Sequence, residues 1–171
     1  MGIEDFSVDS NKHSQRILVV GQDNETGSAL CRLLGRRNYG TFFAVSPEEA
    51  AKIAVRELFD LIIIDHQQNT SSPQTLINKI RSDLALRRFP LLLICPAATA
   101  LDSLSESEQD IQVLRAPFEP SGLLVKVATQ LRMRKFKYEQ AGFEARVAAQ
   151  NAELRDLTAR YQQELLEARQ I

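Results

Sequence analysis

Asp65 closes the apolar run Leu61-Ile62-Ile63-Ile64, a place where a carboxylate can accept a phosphoryl group, contribute to a cation site or take hydrogen bonds from loop amides. Three other apolar runs also end in polar or reactive residues. Gly21-Gln22-Asp23 follows residues 17–20, Cys95-Pro96 follows residues 91–94, and Arg115-Ala116-Pro117 follows residues 111–114. Magnesium is usually held by one or two carboxylates together with substrate phosphate oxygens. Phosphoryl transfer in turn depends on cations and donors placed around the moving group. Around Asp65 such groups are sparse in the sequence: Cys95 is a weak donor and Ala116 carries no charge.

The remaining reactive residues read as structural. His13 and His66 are isolated and make no metal site. Cys31 and Cys95 are too few for a disulfide framework and have no second pair with which to bind zinc. Cys95 follows a buried run with no histidine positioned by sequence to activate it, so it is expected to be a small packed hydrophobe. Gly21 and Gly27 have neither the spacing nor the lysine of a phosphate-binding loop. No cofactor, no metal and no catalytic residue is expected.

The elements that carry these positions follow from periodicity. Residues 17–20, 61–64 and 91–94 are continuous apolar runs, as expected of parallel strands covered on both faces. A further strand fits residues 41–45, and a weaker fifth strand fits residues 111–114. Between them, residues 25–36 place Leu30, Leu33 and Leu34 on one helical stripe, and Ser46-Pro47-Glu48-Glu49 has the residues of a capped helix start, predicting a helix from Pro47 to about Leu58. Ser72-Pro73 opens a third helix carrying Leu76, Ile77 and Ile80. Strands separated by such helices predict right-handed crossovers and an α/β domain: a doubly wound, five-stranded parallel sheet of flavodoxin-like order 2-1-3-4-5. In such a sheet ligands approach the carboxyl ends of the strands, where Asp65 and its neighbours lie.

Composition sets limits on the rest. With 171 residues, 44% hydrophobic and 25% charged, the chain can bury one sizeable core with residues left for an appendage. A formal net charge of -1 gives no pull toward nucleic acid or anionic membrane. No apolar run approaches the roughly 20 residues that span a bilayer. Residues 1–15 are polar, with neither a signal nor a transit peptide pattern, and read as a flexible N-terminal arm of a cytoplasmic protein.

Over residues 16–131 the chain resembles the receiver domain of two-component response regulators. Asp60-Leu61-Ile62-Ile63-Ile64-Asp65 is similar to the family's phosphoacceptor strand, Pro90-Leu91-Leu92-Leu93-Ile94-Cys95 to its fourth strand, and Ala116-Pro117-Phe118-Glu119-Pro120 to its Lys-Pro-Phe segment. The resemblance places Asp65 at the phosphoacceptor position and implies a cis Ala116-Pro117 peptide. It also exposes departures: Gly21 and Gln22 stand where the family has adjacent acids, leaving Asp23 one place late, Cys95 replaces the hydroxyl residue, Ala116 the lysine and Val113 the aromatic switch residue. What the resemblance then implies is a degenerate receiver, a pseudo-receiver with Asp65 not phosphorylated. The alternatives are an active phosphoacceptor with an unorthodox metal site and a scaffold that localises a complex.

A second feature begins at Ser121. No proline follows Pro120, and Gly142 is the only glycine after Gly122, so one helix can run for about 75 Å to the end of the chain. Met133, Phe136, Phe143, Val147, Leu154, Leu157, Tyr161, Ala168 and Ile171 fall on alternating three- and four-residue steps, with Gln140, Gln150 and Glu164 in the same seam. That heptad pattern predicts a coiled coil over residues 132–171, expected to pair two copies in parallel. The basic cluster Arg132, Arg134, Lys135 and Lys137 at its root reads as a solvated face. The expected partners are a second copy of the chain and an unidentified signalling protein, with an output domain beyond Ile171.

Overall fold

The structure is a computed structural model that describes residues 15–68, 71–99 and 110–169. Its elements run β1 (Arg16–Gly21), α1 (Asn24–Gly35), β2 (Gly40–Ala44), α2 (Pro47–Arg56), β3 (Leu61–Asp65), α3 (Pro73–Ser82), β4 (Leu91–Pro96), β5 (Ile111–Ala116) and α4 (Pro120–Ala168). The expected arm at residues 1–15 falls almost wholly outside the described residues, as do His13 and Ile171. The chain divides into two compact units, Met1–Leu131 and Arg132–Ile171.

The first unit is built on a five-stranded sheet of order β2-β1-β3-β4-β5 in which every neighbouring pair is parallel. Side chains alternate across a strand, so each continuous apolar run feeds both faces of the sheet. Leu18, Val20, Ile62, Ile64, Leu91 and Leu93 join Ala50 and Ala54 of α2 and Ile77 and Ile80 of α3 in one buried cluster. Ile17, Val19, Leu61, Ile63, Leu92 and Ile94 join Leu30 and Leu34 of α1 and Leu123, Val127 and Leu131 of α4 in the other. Two covered faces, with the edge strands β2 and β5 half-buried, give the doubly wound α/β fold that the strand pattern predicts.

Several boundaries differ from expectation. β1, β3 and β4 run on to take in Gly21, Asp65, Cys95 and Pro96, because parallel pairing continues to Gly21↔Asp65 and Pro96↔Ala116. Gly21, Asp65, Cys95 and Ala116 therefore sit at the last paired rungs of the sheet, on firmer backbone than loops would give. α2 stops at Arg56, two residues short of Leu58: the Glu57 amide makes a last bond to the Ile53 carbonyl, and the chain turns extended at Glu57. That turn carries Phe59 into the core, edge-on to Phe42 and Phe89 with ring centroids 5.2 and 6.2 Å away.

The second unit is the distal part of α4, and its described seam is open to solvent. Met133, Phe136, Phe143, Leu154, Leu157 and Tyr161 are each 50–66% exposed. No described helix is long and apolar enough to cross a membrane.

Candidate functional site

Gly21 and Asp65 are directly paired across β1 and β3. A Cβ added at Gly21 would lie 3.1 Å from Asp65 Cβ, so glycine here lets the carboxylate-bearing strand end sit tight against its neighbour. Asp65 is only 7% exposed. Its Oδ1 accepts from the Gln67 side-chain amide at 3.0 Å and from the Gln67 backbone amide at 3.3 Å. The second contact is the local turn that aspartate favours, in which the side chain takes an amide two residues on.

Asp23 has a different occupation. It is the N-cap of α1, where its carboxylate accepts from the Glu25 amide at 3.1 Å, the Thr26 amide at 3.3 Å and the Thr26 hydroxyl. The Thr26 hydroxyl, followed by the Glu25 amide, holds its carboxyl below the ordinary value of 3.8. A carboxylate bonded to the first turn of its own helix satisfies that helix's orphan amides. It does not line the cleft beside Asp65.

That cleft is a cavity of about 330 Å³ between the ends of β1 and β3 and the starts of α2 and α3. Gly21, Gln22 and Asp65 line it, as do Ser71, Thr75 and the pair Glu48 and Lys79. Among the described residues Lys79 is the cation of this cleft, and its ammonium donates to Glu48 at 2.9 Å. Lys79 in turn draws the Glu48 carboxyl well below its ordinary range. Both side chains are more than half exposed, so the pair contributes little to stability.

The positions on β4 and β5 offer no replacement. Cys95 is fully buried, and burial pushes its thiol up, against the opposing influence of Arg115. Ala116 pairs with Pro96 and ends in a methyl group. Val113 pairs with Leu93 and packs, half-buried, on the cluster beneath α2 and α3. The neighbouring cation, Arg115, binds the chain after β4: its Nη1 donates to the carbonyls of Pro96, Ala97 and Thr99 at 3.3, 3.0 and 2.6 Å. The Ala116-Pro117 peptide is cis, and Phe118 packs on the cluster beneath α1 and α4.

The divalent cation associated with this place by the receiver resemblance does not fit these donors. Among the described residues, Asp65 is the one carboxylate of the cleft without a cationic partner, and no three His, Cys, Asp or Glu side chains gather closely enough for a metal. Sequence reasoning placed Arg115 at a strand end without its bonds to the chain around β4, and it missed Gln67, the Glu48–Lys79 pair and the burial of His66. His66 is 2% exposed, its amide donates to the Ile94 carbonyl at 2.8 Å, and its Nδ1 has no partner among the described residues. Burial lowers its pKa from the ordinary 6.5, opposed by a backbone hydrogen bond at Ser71 and by the charge of Asp65.

No protein-family model matches the chain, and no curated protein does. Solved structures do. The chain is similar to a receiver domain protein from Methanospirillum hungatei JF-1, at 19% identity over 72% of this chain and 98% of that one, with a TM-score of 0.60. It is similar to a receiver-modulated diguanylate cyclase from Pelobacter carbinolicus at 24% identity, covering 73% of this chain and 98% of that one, with a TM-score of 0.60. It is 30% identical to the receiver domain of the hybrid histidine kinase CckA, over 68% of this chain and 98% of that domain, with a TM-score of 0.51. On that identity and coverage, together with the sheet order and the place of Asp65, the chain belongs to the response-regulator receiver domain family.

Proposed function

We propose that this chain is a phosphorylation-independent pseudo-receiver: a cytoplasmic regulatory and dimerisation module of a bacterial signalling protein. It binds a protein partner and relays that binding through the C-terminal helix, as a coiled coil, to an output domain. The receiver-modulated diguanylate cyclase from Pelobacter carbinolicus illustrates the kind of output meant. The observation that carries the proposal is the isolation of Asp65 among acids. Gly21 presses against it from the next strand, Asp23 is bound to the first turn of α1, and Ala116 brings no cation.

The kinetic consequence is large. Removing one preorganised donor from such a site commonly lowers the rate about 10²–10³-fold, and several are missing here together. In this reading Asp65 holds the β3–α3 turn through Gln67 instead of turning over phosphate. Incubation with acetyl phosphate and millimolar magnesium is expected to leave the intact mass unchanged. A stoichiometric phosphoryl adduct on Asp65 would establish the active phosphoacceptor in its place.

A further inference from the structure

In the dimer proposed above a second helix covers the exposed seam of α4, but apolar residues alone do not set the direction of that helix. The flanking charges do. With Met133, Gln140, Val147, Leu154 and Tyr161 at the a positions and Phe136, Phe143, Gln150, Leu157 and Glu164 at d, the g positions are Arg132, Glu139, Arg146, Glu153, Arg160 and Glu167. Their sign alternates at every step. Residues seven apart on one helix are about 10.5 Å apart along its axis, so this alternation does not pair the g residues with one another. Pairs within a helix form at three- and four-residue spacing. Glu139 and Arg160 have such pairs, with Lys135 at 3.9 Å and Asp156 at 2.8 Å. Arg146 has Gly142, Phe143, Ala149 and Gln150 at those spacings, and Glu153 has Ala149, Gln150, Asp156 and Leu157, so neither has an opposite charge in reach on its own helix.

A parallel, in-register partner would set each g residue against the e residue five places on. Arg132 would then face the partner's Lys137 and Glu139 the partner's Glu144, two repulsive contacts, while Arg146 and Glu153 would face the partner's Asn151 and the partner's Thr158. Glu164 would also meet the partner's Glu164 inside the seam. Reversing the partner gives each of these g residues an opposite charge. Antiparallel pairing sets g against g, and with Arg146 opposite the partner's Glu153, Arg132 meets the partner's Glu167 and Glu139 meets the partner's Arg160. In the same alignment Leu154 packs on the partner's Phe143, Tyr161 on the partner's Phe136, and Glu164 lies opposite the partner's Met133.

From this complementarity we infer that the C-terminal helix pairs with a second copy of the chain in antiparallel orientation, in the register that places Arg146 against the partner's Glu153. The inference rests on the dimer proposed above and reverses the parallel pairing expected from the seam. Its consequence for signalling is a relay in trans: the last turn of each helix comes to lie beside the root of its partner's helix, at the partner's Arg132.

Sedimentation equilibrium on the full chain tests it with Arg146→Glu, Glu153→Arg and the double reversal. Each single reversal turns two equivalent attractions into repulsions and should raise the dimer dissociation constant about tenfold, and the double reversal should return it to within about twofold of the parent. Disulfide mapping gives an independent readout. Leu154→Cys should not link to its own copy, which lies about 16 Å away along the axis, but should link when mixed with Phe143→Cys. A self-linking Leu154→Cys dimer indifferent to the charge reversals overturns the orientation and leaves the dimer standing. A parent chain that sediments as a monomer overturns both.

Discussion

At Gly27 in α1 a single missing side chain decides how the helix meets the sheet. A Cβ added there would be driven into the ring of Phe43 on β2, so the helix surface is hollowed at the point where the phenyl group lies. Glycine inside a helix costs about 1 kcal/mol relative to alanine, which makes Gly27→Ala stabilising on propensity alone. Overpacking a filled contact costs about 1–3 kcal/mol, and here the obstruction is a ring held between helix and strand. The clash should win: Gly27→Ala is expected to lower unfolding free energy by about 1–2 kcal/mol in urea titrations, and to cost less in a Phe43→Leu background. An equal cost in both backgrounds would place the damage elsewhere. Nothing in the spacing of Gly27 announces this role, since a glycine's neighbour across the fold has no signature in its own segment. Asp65 differs because its place follows from the apolar run before it. Its bond to Gln67, and Arg115's reach to the Thr99 carbonyl, depend on rotamers fixed only after the chain has folded.

At the scale of elements, punctuation was as readable as periodicity. α2 starts where its sequence directs: Ser46 has extended backbone, its hydroxyl accepts from the Glu49 amide at 3.2 Å, and Pro47 takes the first helical position. The Glu49 carboxylate reaches back as in a capping box, but it accepts from the Val45 amide at 2.8 Å, one residue before the cap. Ser46→Ala removes one of these two contacts and should cost about 1 kcal/mol, while Ser46→Asp should be close to neutral because aspartate caps equally well. Equal loss from both substitutions in thermal unfolding would mean that the hydroxyl serves another purpose. The strand ends were less readable. Each apolar run marks the middle of its strand, but burial continues past it to Asp65, His66 and Cys95, and parallel pairing carries β4 on through Pro96, whose type gave no sign of strand.

For the whole molecule, the proposed dimer raises the question of which part would hold two copies together. The first unit contains both buried clusters, including the face of α4 formed by Leu123, Val127 and Leu131, so its folding does not call on the residues beyond. The distal helix has no such support within its own unit. Phe136, Phe143, Leu154 and Leu157 stand at least half exposed along it, and isolated helices derive little stability from propensity alone. Covering such side chains contributes roughly 1.5–3 kcal/mol each when desolvation is complete, enough for several layers to outweigh the polar ones at Gln140, Gln150 and Glu164. Dimerisation should therefore depend on the tail. Truncation after Leu131, or the paired changes Leu154→Lys and Leu157→Lys in the full chain, should give monomers by light scattering while the cooperative thermal unfolding of the α/β unit persists. The two variants guard each other: truncation removes the whole helix, and the lysine pair leaves its length and most of its charge pattern in place. Should the truncated chain remain dimeric at the same concentration, the interface lies on the receiver unit and the helix seam is not what joins the copies.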